Sequence, residues 1–173
     1  MKTFIDSIIP PNLTDNDIYT IGILLALCLY LGIKIISAYK RLGKKSLLRK
    51  NRTLLKLKRL SWSDFELLCV ELFEKQGWSA TGNSKKGADG GIDIHMKKKK
   101  IKALVQCKRY DETRVTVKIL REMYGLMHEH EADKAYIVTT SVFTKECYKY
   151  IDGKNIELIN GVSLVKRINV LMQ

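Results

Sequence analysis

A continuous apolar run near the start of the chain limits what the chain can fold into. It reads IYTIGILLALCLYLGIKIISA from Ile18 to Ala38, 21 residues whose single charged side chain is Lys34. As a helix with a rise of about 1.5 Å per residue, this run would span roughly the 30 Å of a bilayer's hydrocarbon core. Its apolar residues surround the helix instead of forming one stripe, so in water too much apolar surface would be exposed. We therefore predict one transmembrane helix over residues 18–38.

Two other structures compete with a membrane span. A cleaved signal peptide has a positively charged leading segment and a shorter apolar core, whereas residues 1–33 carry a net charge of −2 and the apolar run is long. A buried helix of a soluble domain needs apolar partners, and the neighbouring segments offer few. Both comparisons favour the span.

Most of the positive charge follows the apolar run directly. The formal net charge of the 173 residues is +13, and residues 34–60 contribute +11 with no acidic side chain. Because basic residues beside a span stay in the cytoplasm, the large domain is expected there. The predicted organisation is an extracytoplasmic segment over 1–17, the span, a basic juxtamembrane linker over 39–60 and a cytoplasmic domain over 61–173. The predicted location is the cell inner membrane, crossed once.

The basic tract allows two interpretations. It orients the protein and binds anionic lipid, or it attracts DNA phosphates without regard to sequence. Five leucines between Leu47 and Leu57 indicate that part of the tract is helical.

The cysteines point to a reducing compartment. Cys28, Cys69, Cys107 and Cys147 are widely spaced in apolar surroundings, without the paired spacing of a zinc site. We expect reduced, buried thiols and neither a disulfide framework nor a structural zinc.

Residues 61–173 alternate helix and strand signals. The predicted elements are a helix over 61–76, strands over 78–81, 92–96 and 102–109, a helix over 115–130, a strand over 135–140, a helix over 145–151, a strand over 156–159, and a last helical turn or two after an Asn160-Gly161 turn. The first helix has a capping-box spacing at Ser63 and Glu66. The order α-β-β-β-α-β-α-β predicts an α/β fold with a mixed β-sheet flanked by helices.

One predicted hairpin gathers residues that suit phosphodiester chemistry. GGIDIHM and IKALVQCKRY are joined by a lysine turn, which brings Asp93 near Gln106 and Lys108 on one face of the second strand. A carboxylate and an amide oxygen suit Mg²⁺, which activates a bound water, and an amine can orient that water and neutralise charge in the transition state. An ordinary salt bridge between Asp93 and Lys108 is an equally weighted alternative.

Other polar residues have strong structural alternatives. Asp89 precedes Gly90-Gly91 and fits a turn. His128 and His130 point to different faces of the predicted helix, so we expect solvated histidines. His95 either lines the cleft beside Asp93 or is an exposed strand histidine. The residues expected at strand ends near the site, where they could touch phosphates, are Arg109, Tyr110, Thr139, Thr140 and Ser141.

Five blocks of this sequence resemble the catalytic domain of the Mrr family of restriction endonucleases. They are FELLCVELFEKQGW, GADGGIDI, VQCKRY, YIVTTSVFTKEC and IELINGVSLVKRI, which cover about residues 60–170 in the family's order and spacing. The family belongs to the PD-(D/E)XK nuclease superfamily and has the signature Asp…Gln-x-Lys. The resemblance therefore implies a restriction-endonuclease-like fold and Mg²⁺-dependent hydrolysis of DNA.

The resemblance also implies roles for single residues. Asp93 would be the catalytic metal ligand, Gln106 the second ligand position and Lys108 the catalytic lysine. Glu66 matches the family's Phe-Glu position and would assist the metal site, although it also fits as the capping partner of Ser63.

We therefore predict a membrane-anchored, Mg²⁺-dependent DNA endonuclease resembling type IV (Mrr-like) restriction enzymes. The alternatives are a catalytically inactive, membrane-tethered DNA-binding module, and a protein whose basic tract binds only lipid headgroups. A homodimer is compatible with the sequence, which does not determine the oligomeric state.

Overall fold

The structure of this protein is a computed structural model that describes residues 15–82 and 91–173. Most of the predicted extracytoplasmic segment, and Asp89, lie outside the described residues. The chain divides into two compact units, Met1–Gly43 and Lys44–Gln173. The helix that links them in sequence, α1, runs over Asp15–Lys50.

The apolar part of α1 has the length and composition of a membrane span. The stretch Asp17–Ile35 comprises 19 residues with a mean hydropathy of 2.1, and none of it is buried. Side chains all around the helix are exposed, as Tyr19, Leu25 and Leu29 illustrate. Cys28 is exposed for the same reason, so the prediction of four buried thiols is wrong for this residue. Cys69, Cys107 and Cys147 are buried and unpaired as predicted.

The second unit contains the predicted alternation of helices and strands. Its elements after α1 are α2 (Leu54–Lys58), α3 (Trp62–Lys75), β1 (Ser79–Gly82), β2 (Ile94–Lys98), β3 (Ile101–Lys108), α4 (Val117–Glu129), β4 (Lys134–Thr139), α5 (Lys145–Tyr150), β5 (Ile156–Ile159) and α6 (Gly161–Leu171). The C-terminal prediction was wrong, because α6 has 11 residues instead of a turn or two. Asn160 does not form a turn with Gly161; its side chain accepts a hydrogen bond from the Ser163 N–H at 2.9 Å and caps α6.

The five strands form one mixed sheet in the order β1-β2-β3-β4-β5. The pairs β1–β2 and β2–β3 are antiparallel, whereas β3–β4 and β4–β5 are parallel. The antiparallel pair β2–β3 is the predicted hairpin, in which Ile94 lies opposite Val105. Nearly all of β4, KAYIVT, is buried, because helices cover both faces of this inner strand. The prediction of a mixed sheet flanked by helices is confirmed.

Two apolar cores lie on opposite faces of the sheet. One contains Val105 and Cys107 of β3 packed against α3 and α6, and the other contains Leu104 of β3 packed against α4 and α5. In α3 five buried residues repeat with the predicted helical spacing, Phe65, Leu68, Cys69, Leu72 and Phe73, and Val70 and Glu71 are buried as well. At roughly 1.5–3 kcal/mol for each fully buried large side chain, this stripe is a main source of stability for α3.

Helix α3 begins where it was predicted, but its capping residues differ. Its N-cap is Ser61, whose hydroxyl accepts a hydrogen bond from the Asp64 N–H at 3.0 Å. The predicted capping pair of Ser63 and Glu66 was therefore wrong. Because the N-cap lies two residues before Ser63, Glu66 lies inside the helix.

Part of the basic tract belongs to the second unit. Leu48 and Leu57 are fully buried in the core that contains α3 and α6. Arg52 donates a hydrogen bond from Nε to the Asn169 side chain at 2.8 Å, and the Asn169 side chain donates back to the Arg52 carbonyl at 3.3 Å. Leu54 contacts the start of α6. The leucines and the basic residues of this segment thus have different roles, since Leu48 and Leu57 are buried while Arg52 is exposed.

The close approach of Leu54 to α6 leads to a stability prediction. A Cβ at Gly161 would lie 2.6 Å from Leu54 Cδ1 and 2.6 Å from the Thr140 carbonyl oxygen, which is backbone and cannot move aside cheaply. We expect Gly161→Ala to lower the free energy of unfolding by about 1–3 kcal/mol through overpacking. Denaturant unfolding followed by tryptophan fluorescence measures this, since both tryptophans, Trp62 and Trp78, lie in the second unit.

Gly125 provides the matched control. It also lies in a helix, α4, but an added Cβ would meet no atom within 4 Å. Gly125→Ala should therefore leave stability unchanged or raise it by up to about 1 kcal/mol. Equal effects of the two substitutions would contradict the packing of Leu54 against Gly161.

Candidate functional site

Two hydrogen bonds tie Asp93 to strand β3. Its N–H donates to the Val105 carbonyl at 3.0 Å, and its carboxylate Oδ2 accepts from the Cys107 N–H at 2.6 Å. Because Cys107 stands between Gln106 and Lys108 in sequence, the Asp93 carboxylate is held beside the segment that carries both residues. The structure therefore brings together the aspartate, the amide and the amine of the predicted site.

Gln106 is buried at the same place. Only 4% of the residue is exposed, and its carbonyl oxygen Oε1 has no hydrogen-bond partner among the described residues. Its amide nitrogen lies against Gly91, where an added Cβ would be 2.7 Å away. Gly91 also has a φ of 109°, which glycine alone adopts without strain. Gly91 thus leaves room for the Gln106 side chain.

Lys108 stands at the end of β3, where neighbouring threonines hold the backbone. The Thr139 hydroxyl donates to the Lys108 carbonyl at 2.7 Å, and the Thr140 hydroxyl donates to the Tyr110 carbonyl at 2.7 Å. Both threonines and Ser141 are buried. The two threonine hydroxyls therefore hold the backbone at the end of β3, and the phosphate contacts expected of this group of residues stay a prediction.

Arg109 links the end of β3 to the turn before α3. Its Nη1 donates to the Lys58 carbonyl at 2.9 Å and lies 3.6 Å from the Asp111 carboxylate. Lys58 in turn donates from Nζ to the Asp111 carbonyl. These contacts join residues some fifty positions apart in sequence, and no local pattern indicates them. Arg109 therefore fixes the backbone that follows Lys108.

The electrostatics of the site centre on Asp93. Burial raises the pKa of its carboxyl group above the ordinary value of 3.8, although the Cys107 N–H and the Lys108 ammonium both act to lower it. Burial therefore has the largest effect. A carboxylate that is costly to ionise in this place gains most from a cation bound beside it.

Glu66 lies on the other side of Cys107. It is half-buried in α3, which packs on the sheet face that carries Cys107, whereas Gln106 projects from the opposite face. Contact with the Cys69 thiol raises the pKa of Cys107, and burial and the charges of Asp93 and Glu66 raise it further. Asp93 and Glu66 are thus both close enough to Cys107 to act on its thiol.

A metal ion at this site would need other ligands in addition to the nearby protein side chains. Among the described residues, no three His, Cys, Asp or Glu side chains lie close enough together to hold a metal ion. The Asp93 carboxylate and the Gln106 carbonyl remain as protein ligands. Such a set suits Mg²⁺, which keeps several waters and takes one or two protein oxygens together with substrate phosphate.

Of the histidines, His128 is exposed as predicted, whereas His130 is half-buried against His95. The rings of His95 and His130 meet edge to face, with their centroids 5.7 Å apart. His128 is exposed and packs against Tyr124 instead. Sequence patterns gave no sign of the His95–His130 contact, because the two residues are joined only by the packing of the end of α4 beside β2.

Similarity to known proteins agrees with this fold. A protein of unknown function, AF1548, is 18% identical with a TM-score of 0.48, over 57% of this chain and 61% of its own. The restriction endonuclease MspJI, solved in complex with a 27-mer oligonucleotide, is 19% identical with a TM-score of 0.44, over 60% of this chain and 26% of its own. The DNA modification-dependent restriction endonuclease AspBHI is 15% identical with a TM-score of 0.50, over 75% of this chain and 36% of its own. This chain thus spans less than two thirds of each. No curated protein sequence matches it.

A family model identifies the second unit. The model of the Mrr_cat family, described as restriction endonuclease, matches residues 57–168, which are more than half of the 173 residues. The matched segment contains the whole sheet and the residues around Asp93. The chain belongs to the Mrr_cat restriction endonuclease family.

Proposed function

We propose that this protein is a membrane-anchored endonuclease that hydrolyses phosphodiester bonds of DNA with the help of Mg²⁺. Asp93 and Gln106 are the proposed metal ligands, Lys108 the proposed catalytic lysine and Glu66 an assisting acid. The observation that carries the proposal is the buried Oε1 of Gln106, which has no hydrogen-bond partner among the described residues; the next residue, Cys107, donates its N–H to the Asp93 carboxylate.

The two proposed ligands fit a hard cation. A buried carbonyl oxygen without a partner costs about 1–3 kcal/mol, and a cation beside it would remove that cost. The same cation would offset the burial that raises the pKa of Asp93. Both polar groups are thus costly as they stand, which supports a bound cation as the missing partner.

The chain's own residues have distinct parts in the proposed reaction. A Mg²⁺ ion bound there would lower the pKa of a coordinated water and stabilise charge on the phosphoryl oxygens. The Cys107 N–H holds one oxygen of Asp93 and so fixes the direction of the carboxylate. The Lys108 ammonium, close enough to act on the pKa of Asp93, would orient the attacking water and neutralise charge developing on the phosphate.

DNA is the proposed substrate because of the family and its neighbours. MspJI was solved with an oligonucleotide, and AspBHI is described as dependent on DNA modification. We extend the DNA substrate to this chain and leave its sequence or modification preference open.

Anchoring in the membrane is proposed from α1. The stretch Asp17–Ile35 is long and apolar enough to cross a bilayer, and residues 34–60 carry positive charge alone. Such an arrangement supports a cytoplasmic nuclease domain. Entering foreign DNA would meet the enzyme at the membrane.

The catalytic proposal predicts the effects of three substitutions. Asp93→Ala and Lys108→Ala should each lower Mg²⁺-dependent cleavage of plasmid DNA by at least about 100-fold while the domain stays folded, because each removes charge from the reacting centre. Gln106→Ala should lower it less, since a neutral carbonyl contributes less to a metal than a carboxylate does. Agarose gel assays with Mg²⁺ and with EDTA measure this.

Exposed Lys166 on α6 offers a matched control, and Lys166→Ala should cleave as the wild type does. Wild-type cleavage in EDTA would rule out the metal. Full activity in Asp93→Ala, with contaminating nucleases excluded, would leave a binding module as the function of this fold.

Binding of Mg²⁺ at the proposed site should also change the free energy of unfolding. Since the folded state raises the pKa of Asp93 above 3.8, the free energy of unfolding falls as pH rises from 3.8 through the folded-state pKa, and the loss persists at neutral pH. Asp93→Asn has no charge to bury, so in EDTA at pH 7 it should unfold at a higher temperature than the wild type. Mg²⁺ at 100 times its Kd should stabilise the wild type by about 2.7 kcal/mol and Asp93→Asn far less.

Asp152→Asn, at an exposed carboxylate, is the matched control for this measurement and should respond to Mg²⁺ as the wild type does. An equal Mg²⁺ response of Asp93→Asn would show that Asp93 is not a ligand.

The anchoring proposal predicts membrane partitioning. The full chain should remain with membranes after a high-salt wash, because salt screens lipid-headgroup attraction but does not extract an apolar span. Deletion of residues 1–40 should release the protein to the soluble fraction, as measured by sedimentation and immunoblotting. Cysteine labelling gives the orientation, and a C-terminus outside the cytoplasm would contradict the proposal.

A further inference from the structure

A cavity with polar and apolar lining lies on the sheet face from which Leu104 and Gln106 project. It has a volume of about 320 Å³ and is formed by β1, β2, β3 and the residues that follow α4. Its polar lining comes from Ser79, Thr81, His95, Lys97, Lys102 and His130. Two hydroxyls, two imidazoles and two ammonium groups therefore face one cavity, and all of them can donate hydrogen bonds.

The histidine pair in this cavity lacks the ligands of a metal site. His95 and His130 are in ring contact at 5.7 Å, but among the described residues no third His, Cys, Asp or Glu joins them. Protein zinc sites take at least three such ligands. Each imidazole is half-buried and carries an N–H donor, which suits an oxygen-rich anion better.

The charge in the cavity is modest. Lys102 Nζ is held by Glu131 at 3.2 Å, and the Lys102 N–H donates to the Asp133 carboxylate at 2.7 Å. Lys97 is exposed and has no carboxylate partner among the described residues. The charges of the two lysines and of the two carboxylates that bind Lys102 cancel, so the ammonium group left to meet the single negative charge of a phosphodiester is that of Lys97.

The cavity residue His95 lies two residues along the strands from the level of Gln106. His95 lies opposite Leu104 in β3, and Leu104 and Gln106 project from the same face because they are two residues apart. At about 3.4 Å per residue, the row that contains His95 is roughly 7 Å from the row that contains Gln106. Lys97 and Lys102 form the next row on that face. Donors thus continue along the face from the proposed site toward the β2–β3 turn.

We propose that this cavity binds a backbone phosphodiester of the DNA, next to the one being cleaved. His95 and His130 donate hydrogen bonds to its oxygens, and Lys97 supplies the charge. The proposal rests on the proposed function for its ligand, but it concerns binding alone. These residues position the strand and do not take part in the chemical step.

DNA binding by the full chain in detergent, measured in EDTA, tests the proposal without cleavage. The probe is a short fluorescein-labelled duplex, and its anisotropy gives Kd at several salt concentrations. Lys97→Ala should reduce the slope of log Kd against log salt by about one, as expected for one lost phosphate contact. His95→Ala and His130→Ala should each raise Kd about tenfold or more, as for a lost hydrogen bond to a charged group.

Matched controls come from the same chain. His128→Ala removes an exposed histidine two residues from His130 but outside the cavity, and Lys166→Ala removes a lysine on the other sheet face; both should bind as the wild type does. His95→Gln, which keeps a donor, should recover part of the loss. In cleavage assays the cavity variants should raise KM and leave kcat unchanged, because the contact is equal in ground and transition states.

The outcomes separate this proposal from the proposed function. Weaker binding by the cavity variants alone supports the phosphate site whether or not the wild type cleaves DNA. Cavity variants that bind like the wild type overturn it, even if Asp93→Ala abolishes cleavage. A wild type that binds no duplex overturns it as well. Thermal unfolding of each variant shows whether a loss reflects misfolding.

Discussion

The arrangement of the second unit depends on burying strand β3 on both faces while its last residues stay polar. Residues 103–107 are all buried, and they pair with β2 on one side and β4 on the other. The Gln106 carbonyl oxygen is buried without a hydrogen-bond partner among the described residues, and Asp93 is fixed by hydrogen bonds to the same strand. A site built on an inner strand is rigid because any movement would break the pairing on both sides.

Burial of the site has an electrostatic cost, which is consistent with the proposed metal. Burial raises the pKa of Asp93 even though Lys108 and the Cys107 N–H oppose it. A protein that needed only stability would place an apolar residue here, since a buried charge without full compensation destabilises the fold. A buried Asp93 carboxylate and a Gln106 carbonyl oxygen without a hydrogen-bond partner in the described part of the chain are reasonable if a cation binds there when the protein acts.

The basic tract contributes to the fold as well as to the charge. Leu48 and Leu57 are fully buried, and the Lys58 carbonyl receives the Arg109 side chain directly after Lys108. The segment expected to be a linker from its charge thus supports the end of the strand that carries the proposed catalytic residues. A nuclease fragment that begins at residue 61 would lack these contacts.

Local patterns in the sequence determined the helices and strands, the apolar helix and the residues around Asp93. These are local features: the apolar spacing in α3, the buried run in β4 and the pairing of GIDI with QCK. Such local periodicity can be recognised without knowing the fold. The N-cap at Ser61, the length of α6 and the packing of Leu48 and Leu57 were not predicted, because each depends on which surface is covered by another element. The His95–His130 contact and the Arg109–Lys58 bond join distant parts of the chain, so only the tertiary structure decided them: side chains far apart in sequence meet only when packing of the helices on the sheet brings them together.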